Sequence, residues 1–179
     1  HFPVESVSKL RYNKLFVKDA VKQNAAAKQF QKRGDPLMKK YLNFSLAYAL
    51  AAMAGGVFYR EFTKYNGFTG VTALGKVHVH LFVLGMLVFL LVALFAAHND
   101  LEKIKTFRVF LWIYNVGVSL TAVMLLVRGV MQVLDFSLSD GLSASISGIA
   151  GIGHVLTGAG IILLLVALKK AAGNGARTQ

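Results

Sequence analysis

Four stretches of nearly unbroken apolar residues, 42–59, 77–97, 109–134 and 146–168, dominate the chain. As helices, each is long enough to cross a hydrocarbon core that takes about 20 residues. The runs are continuous and show no period-two alternation, which argues against a barrel of short strands. The two prolines, Pro3 and Pro36, fall outside all four. Segments 60–76, 98–108 and 135–145 join the runs, and connections of 17, 11 and 11 residues make consecutive helices antiparallel neighbours. The pattern predicts an all-α fold, a membrane-embedded antiparallel four-helix bundle forming one domain over 38–170.

Composition supports this reading: 55% of the 179 residues are hydrophobic, 16% are charged, and the mean hydropathy is +0.56. A net charge of +12 in a soluble protein would suggest nucleic acid, but here the basic residues gather at the ends of apolar runs, so no nucleic-acid partner is expected. Ten Lys and Arg lie in residues 1–41, Lys103, Lys105 and Arg108 lie in the second connection, and Lys169, Lys170 and Arg177 follow the last run. The first and third connections carry only Arg60, Lys64 and Lys76, with Asp135 and Asp140. Retention of Lys and Arg on the cytoplasmic side predicts a multi-pass plasma-membrane protein with both termini inside. The absence of cysteine excludes disulfides, thiolate metal sites and iron–sulfur clusters.

Residues 1–37 are polar and Lys-rich, helix-compatible from Lys14 to Lys32, with a break expected at Gly34-Asp35-Pro36. They read as a basic N-terminal extension or leader without a core of its own, with Met38 as the expected natural start and anionic-lipid contact as the alternative. Lys39-Lys40, the following apolar run and Ala52-Met53-Ala54 also imitate a signal peptide, whose removal would leave three spans. Residues 171–179 read as a flexible tail.

Ionisable residues inside a bilayer are costly, and they line cavities, pair with one another or hold cofactors. The chain has four: His78, His80, Arg128 and His154. With Arg60 and Glu61 at the end of the first span, every helix is expected to bring a polar group to one outward-facing layer. His78 and His80 stand roughly 200° apart on a helix, so only one can face the interior, and His80 is the deeper. The stripe His78, Phe82, Gly85 and Phe89 favours the other choice. Around His154, the stripe Ser147, Gly151 and Gly158 is small enough to admit a porphyrin edge or a neighbouring helix. Imidazoles on facing helices suit haem iron, and arginine suits the propionates. His78, His80, His154, Arg128 and Arg60 are therefore the cofactor-site candidates, and His80, His154 and His78 the metal candidates. Counting 1.5 Å per residue, His80 lies roughly 6 Å below its helix start and His154 roughly 13 Å, so a level pair requires the fourth helix to begin late, within its Ser/Gly-rich stretch. Phe62, Tyr65 and Phe68 are read either as a cap over the site or as interfacial anchors.

The motifs Phe58-Tyr59-Arg60-Glu61-Phe62, Asn66-Gly67-Phe68-Thr69-Gly70 and Leu74-Gly75-Lys76-Val77-His78-Val79-His80-Leu81-Phe82-Val83-Leu84-Gly85 resemble those of a family of small bacterial membrane proteins classed as a domain of unknown function. The resemblance covers 38–170 and implies a four-helix integral membrane fold with no assigned activity. The short His-x-His pattern followed by Leu and Gly is also similar to haem-bearing respiratory membrane proteins, although the chain lacks the length and histidine count of a haem–copper oxidase core.

These residues lead to three expectations. The first is a haem-binding protein serving electron transfer or haem handling, with a redox partner or larger membrane complex. The second is a non-catalytic assembly subunit or homo-oligomer whose histidines tie helices together. The third is a small transporter or proton conductor. No catalytic motif supports an enzyme class.

Overall fold

The computed structural model describes residues 4–175, with side chains placed at 16–25, 28 and 36–173. Among these residues the regular elements are α1 (Val4–Tyr65), α2 (Leu74–Ala96), a 3₁₀ turn (Leu101–Lys103), α3 (Lys105–Val133) and α4 (Asp140–Gly175). The stretches Pro36–Tyr65, Leu74–Ala96, Lys105–Val133 and Asp140–Gly173 are each long and apolar enough to span a membrane. Cross-contacts fix the up-and-down order. At the basic end Lys40 meets Glu102, and Lys170 meets Thr106; at the opposite, distal end Thr72 meets Gly129, and Arg128 meets Ser147.

Two expectations about helix ends are corrected. No break occurs at Gly34-Asp35-Pro36, because α1 runs through Pro36. Proline removes one backbone donor and costs about 3 kcal/mol inside a helix, and the helix-forming residues on either side outweigh that local loss. Nor does the fourth helix begin late: it starts at Asp140. The Ser139 hydroxyl accepts the Leu142 N–H, and Ser145 and Ser147 donate to the Gly141 and Ser143 carbonyls, so these hydroxyls cap the helix or bond back to it. The first part of the expected tail is helical as far as Gly175; residues 176–179 lie outside the described residues, as do His1 and Pro3.

The helices form a row in which α1 packs on α2, α2 on α3, and α3 on α4. The α3–α4 seam is the tightest. On α4 the buried positions are Ile146, Gly153, Thr157, Gly160, Leu164, Ala167 and Ala171, a largely small-residue stripe of alternating three- and four-residue steps. A Cβ at Gly153 would lie 2.6 Å from Thr121 Oγ1, one at Gly117 2.6 Å from the Thr157 nitrogen, and one at Gly160 2.8 Å from Tyr114. The start of α2 is joined to the end of α3: Thr72 donates to the Gly129 carbonyl, Gln132 accepts the Ala73 N–H, and Gly129 abuts Leu74.

Helix α2 changes pitch at Leu81–Leu87, a π-helical turn. Its buried positions Val77, Leu81, Gly85 and Phe89 are four residues apart. On an α-helix that spacing drifts about 40° per step, and the wider turn returns these residues to one face. Gly85 lets the Tyr48 ring come within 2.4 Å of where a Cβ would stand. Ser45 and Tyr114 donate to the Met86 and Leu84 carbonyls, giving the altered turn external partners. Around it, Tyr41, Phe89, Phe107, Phe110 and Tyr114 fill the basic half of the bundle, with neighbouring rings 5.1–6.3 Å apart.

At the basic end, the Glu102 carboxylate accepts from Lys40 Nζ at 2.7 Å and from the Tyr41 hydroxyl at 2.9 Å. Its hydrogen bond with Lys40 holds the carboxyl below its usual range, more than offsetting partial desolvation. A lowered folded pKa adds stability that is present above the ordinary glutamate value of about 4.3 and lost as pH falls through the folded value. Melts across this acid range should show a loss in the native protein that is absent or reduced in Glu102→Gln. A second prediction concerns the seam. Gly153→Val should destabilise the α3–α4 pair by about 1–3 kcal/mol through overpacking. Gly148→Ala, where a Cβ meets nothing within 4 Å, should be neutral or stabilising in the same detergent melts.

Candidate functional site

The buried face of α2 separates its two intramembrane histidines. His78 turns towards α1, where it stacks at 6.5 Å and 15° on the Tyr59 ring and lies 3.7 Å from where a Cβ on Gly56 would be. Its Nδ1 is buried without a hydrogen-bond partner. His80 flanks the other side of α2, and its ring lies 6.1 Å from that of His154 on α4, with the planes at 83°. Of the three intramembrane histidines, His80 and His154 are therefore the pair brought into contact across helices.

The depth difference that seemed to require a late helix start is accommodated by packing register. Leu74 sits against Gly129, and Gly153 against Thr121. These two contacts slide α4 along α3 until His154 faces His80. Because α3 packs on both α2 and α4, the two histidines meet over a flank of the bundle and outside its closed core. The stripe Ser147, Gly151 and Gly158 also falls beside the α3–α4 seam: a Cβ at Gly151 or Gly158 meets nothing within 4 Å, leaving open space above and below the imidazole.

Each of the paired histidines is held by its own helix. His80 Nδ1 is 2.9 Å from the Lys76 carbonyl oxygen, and His154 Nδ1 is 2.8 Å from that of Ala150. A carbonyl can only accept, so Nδ1 carries a proton in both rings, and in the neutral imidazole Nε2 is then the nitrogen with a lone pair. This is the arrangement by which second-sphere carbonyls fix the tautomer of ligating histidines. Metal–imidazole bonds of about 2.0 Å, with about 1.1 Å from nitrogen to ring centre, put two imidazoles on opposite sides of one metal about 6 Å apart, centre to centre. The 6.1 Å between the ring centres falls at that spacing, which is also that of an edge-to-face ring contact.

Arg128 lies on α3 seven residues distal to Thr121, about 10 Å by helical rise. Its guanidinium donates to Ser147 at 3.0 Å. Arg60 pairs instead with Glu61 at 3.4 Å on the exposed end of α1, the helix that packs on the His78 side of α2. Among the described residues no group of three or more His, Asp or Glu side chains could hold a metal ion. The aromatic cap does not form over the pair: Tyr65 is 91% exposed, Phe62 stacks on Phe58, and Phe68 lies over Gly70 of its own loop. That loop is closed locally by Gly67, at φ +60°, and by the Phe68 N–H donating to the Thr63 carbonyl, a helix-capping turn that keeps its aromatics near α1.

The sequence reading missed the π turn and the anchoring of both Nδ1 atoms. The four-residue spacing of Val77, Leu81, Gly85 and Phe89 carries the first. The second follows from an i−4 carbonyl being within reach of an imidazole on any regular helix. In the metal-free protein, the nitrogen chemical shifts of His80 and His154 should report neutral Nδ1–H tautomers, with no such constraint at His78; nitrogen-detected NMR of labelled protein checks this.

No curated protein and no solved structure matched the chain in the comparisons. The family described as a protein of unknown function, DUF2871, matches residues 38–171. With that match covering well over half the chain, the protein belongs to the DUF2871 family of unknown function.

Proposed function

We propose that the chain is a haem-binding integral membrane protein of electron transfer or haem handling, with the Nε2 atoms of His80 and His154 as axial ligands. The observation that carries this reading is the 6.1 Å imidazole pair, both members anchored through Nδ1. Two protein ligands are what a six-coordinate haem takes from its host, since the porphyrin supplies the other four. A zinc or copper centre would draw on more protein groups, and the described residues offer no third. Open space at Gly151 and Gly158 gives a flat macrocycle room beside His154, and Arg128, held by one bond to Ser147, has further guanidinium donors for propionates at the distal edge. Excess Lys and Arg at the basic end support a plasma-membrane topology with that end cytoplasmic, which places the histidine pair in the outward half.

The helix-tying reading is less well supported, because the hydrogen bonds of His80 and His154 go to their own helices and not across to a neighbour. Proton or ion conduction meets the packed aromatics of the basic half, where Tyr41, Phe89, Phe107, Phe110 and Tyr114 are fully buried.

The test is the visible spectrum of purified protein produced with ample haem and then offered haemin. A Soret band with sharp reduced α and β bands is expected. His80→Ala and His154→Ala should each abolish the six-coordinate spectrum, His78→Ala should keep it, and Arg128→Gln should keep it with weaker haem retention. Folded protein that stays colourless with haemin present would overturn the reading.

A further inference from the structure

We propose that the basic end of α1 carries a binding site for an anionic phospholipid, independent of the histidine pair. A shallow groove of about 660 Å³ runs along Pro36, Lys39, Lys40, Asn43, Phe44 and Ala47. Its chemistry is graded along the helix axis: two ammonium groups and an amide lie at the outer end, and an aromatic ring and a methyl lie deeper. That grading matches an amphiphile with a negative head and apolar chains, oriented as a bilayer leaflet would present it.

Lys40 is anchored by Glu102 at 2.7 Å, which holds one wall of the groove in place, and Lys39 is exposed beside it. Phe44 is stacked on Phe89 at 5.3 Å while remaining 38% exposed, so a firm aromatic surface is left facing the lipid. The surrounding field has the same sign. Lys105, Arg108, Lys169 and Lys170 are exposed at this end, whereas Asp100 and Glu102, its acidic residues among those described from 36 to 173, are paired with Lys103 and Lys40. The exposed Trp112 stands one helical turn from Arg108, an interfacial aromatic at headgroup depth. Charge complementarity therefore selects an anionic headgroup, and the Phe44–Ala47 floor selects a lipid over a soluble anion.

The measurement is native mass spectrometry of the full chain released from nanodiscs of equimolar phosphatidylglycerol and phosphatidylcholine with identical acyl chains. The native protein is expected to retain phosphatidylglycerol several-fold over phosphatidylcholine. Lys39→Gln should bring that ratio close to one by removing head charge, and Ala47→Trp should do the same by filling the floor. Lys105→Gln/Lys169→Gln, which removes as much or more charge away from the groove, should preserve it. Equal retention of both lipids by the native protein overturns the proposal. So does a preference that survives both groove variants, or one lost to the same extent in all three, which would mark diffuse charge. Lys39→Gln alters a solvent-facing side chain and keeps the test valid if Ala47→Trp fails to fold.

Discussion

The close approach of α3 and α4 is the constraint from which the rest of the distal half follows. At Gly117, Gly153 and Gly160 the two backbones come near enough that a methyl group would collide with the opposite helix. In a bilayer, where lipid tails are as apolar as leucine, such contacts supply packing that burial alone cannot. The seam also sets a register. With Gly153 seated on Thr121, the adjacent residue has one height and one direction, and His154 reaches His80 as a result. The stitching of Thr72 and Gln132 to α2 performs the same service on the other side of α3.

The bundle was legible because hydropathy in a membrane protein is read over twenty residues at a time, and no local detail reverses it. Helix ends were less legible. Proline and serine are breakers by local propensity, yet Pro36 is carried by a long helix and Ser145 and Ser147 bond back to their own carbonyls. The intramembrane ionisable residues were legible, and their arrangement was not. The 200° separation of His78 and His80 predicts that they face different ways, and the structure turns His78 to α1 and His80 to α4. Which histidine faces α4 depends on the order of helices in the row, a property of long-range packing with no local signature. Arg60 stands apart from the pair for the same reason, because α1 packs on the His78 side of α2.

Polar groups within the spans divide by function of place. In the basic half, Tyr48 donates to Asn115, and Ser45 and Tyr114 donate to carbonyls of α2, so hydroxyls among packed aromatics are used up in fixing the fold. In the distal half, His80 and His154 keep a ring nitrogen uncommitted. Their hydrogen bonds stay within their own helices, unlike the ties of the basic half that cross from one helix to another.

The π turn of α2 has a further consequence in terms of descent. A turn that closes over five residues instead of four is what a one-residue insertion leaves in an α-helix when neighbours on both sides are already packed. The helix then consists of two cylinders sharing an axis and differing in phase, joined at Leu81–Leu87. His78 and His80 lie on the distal cylinder, and Phe89 lies on the other. The turn acts as a slip joint, letting the two halves of one transmembrane segment change separately.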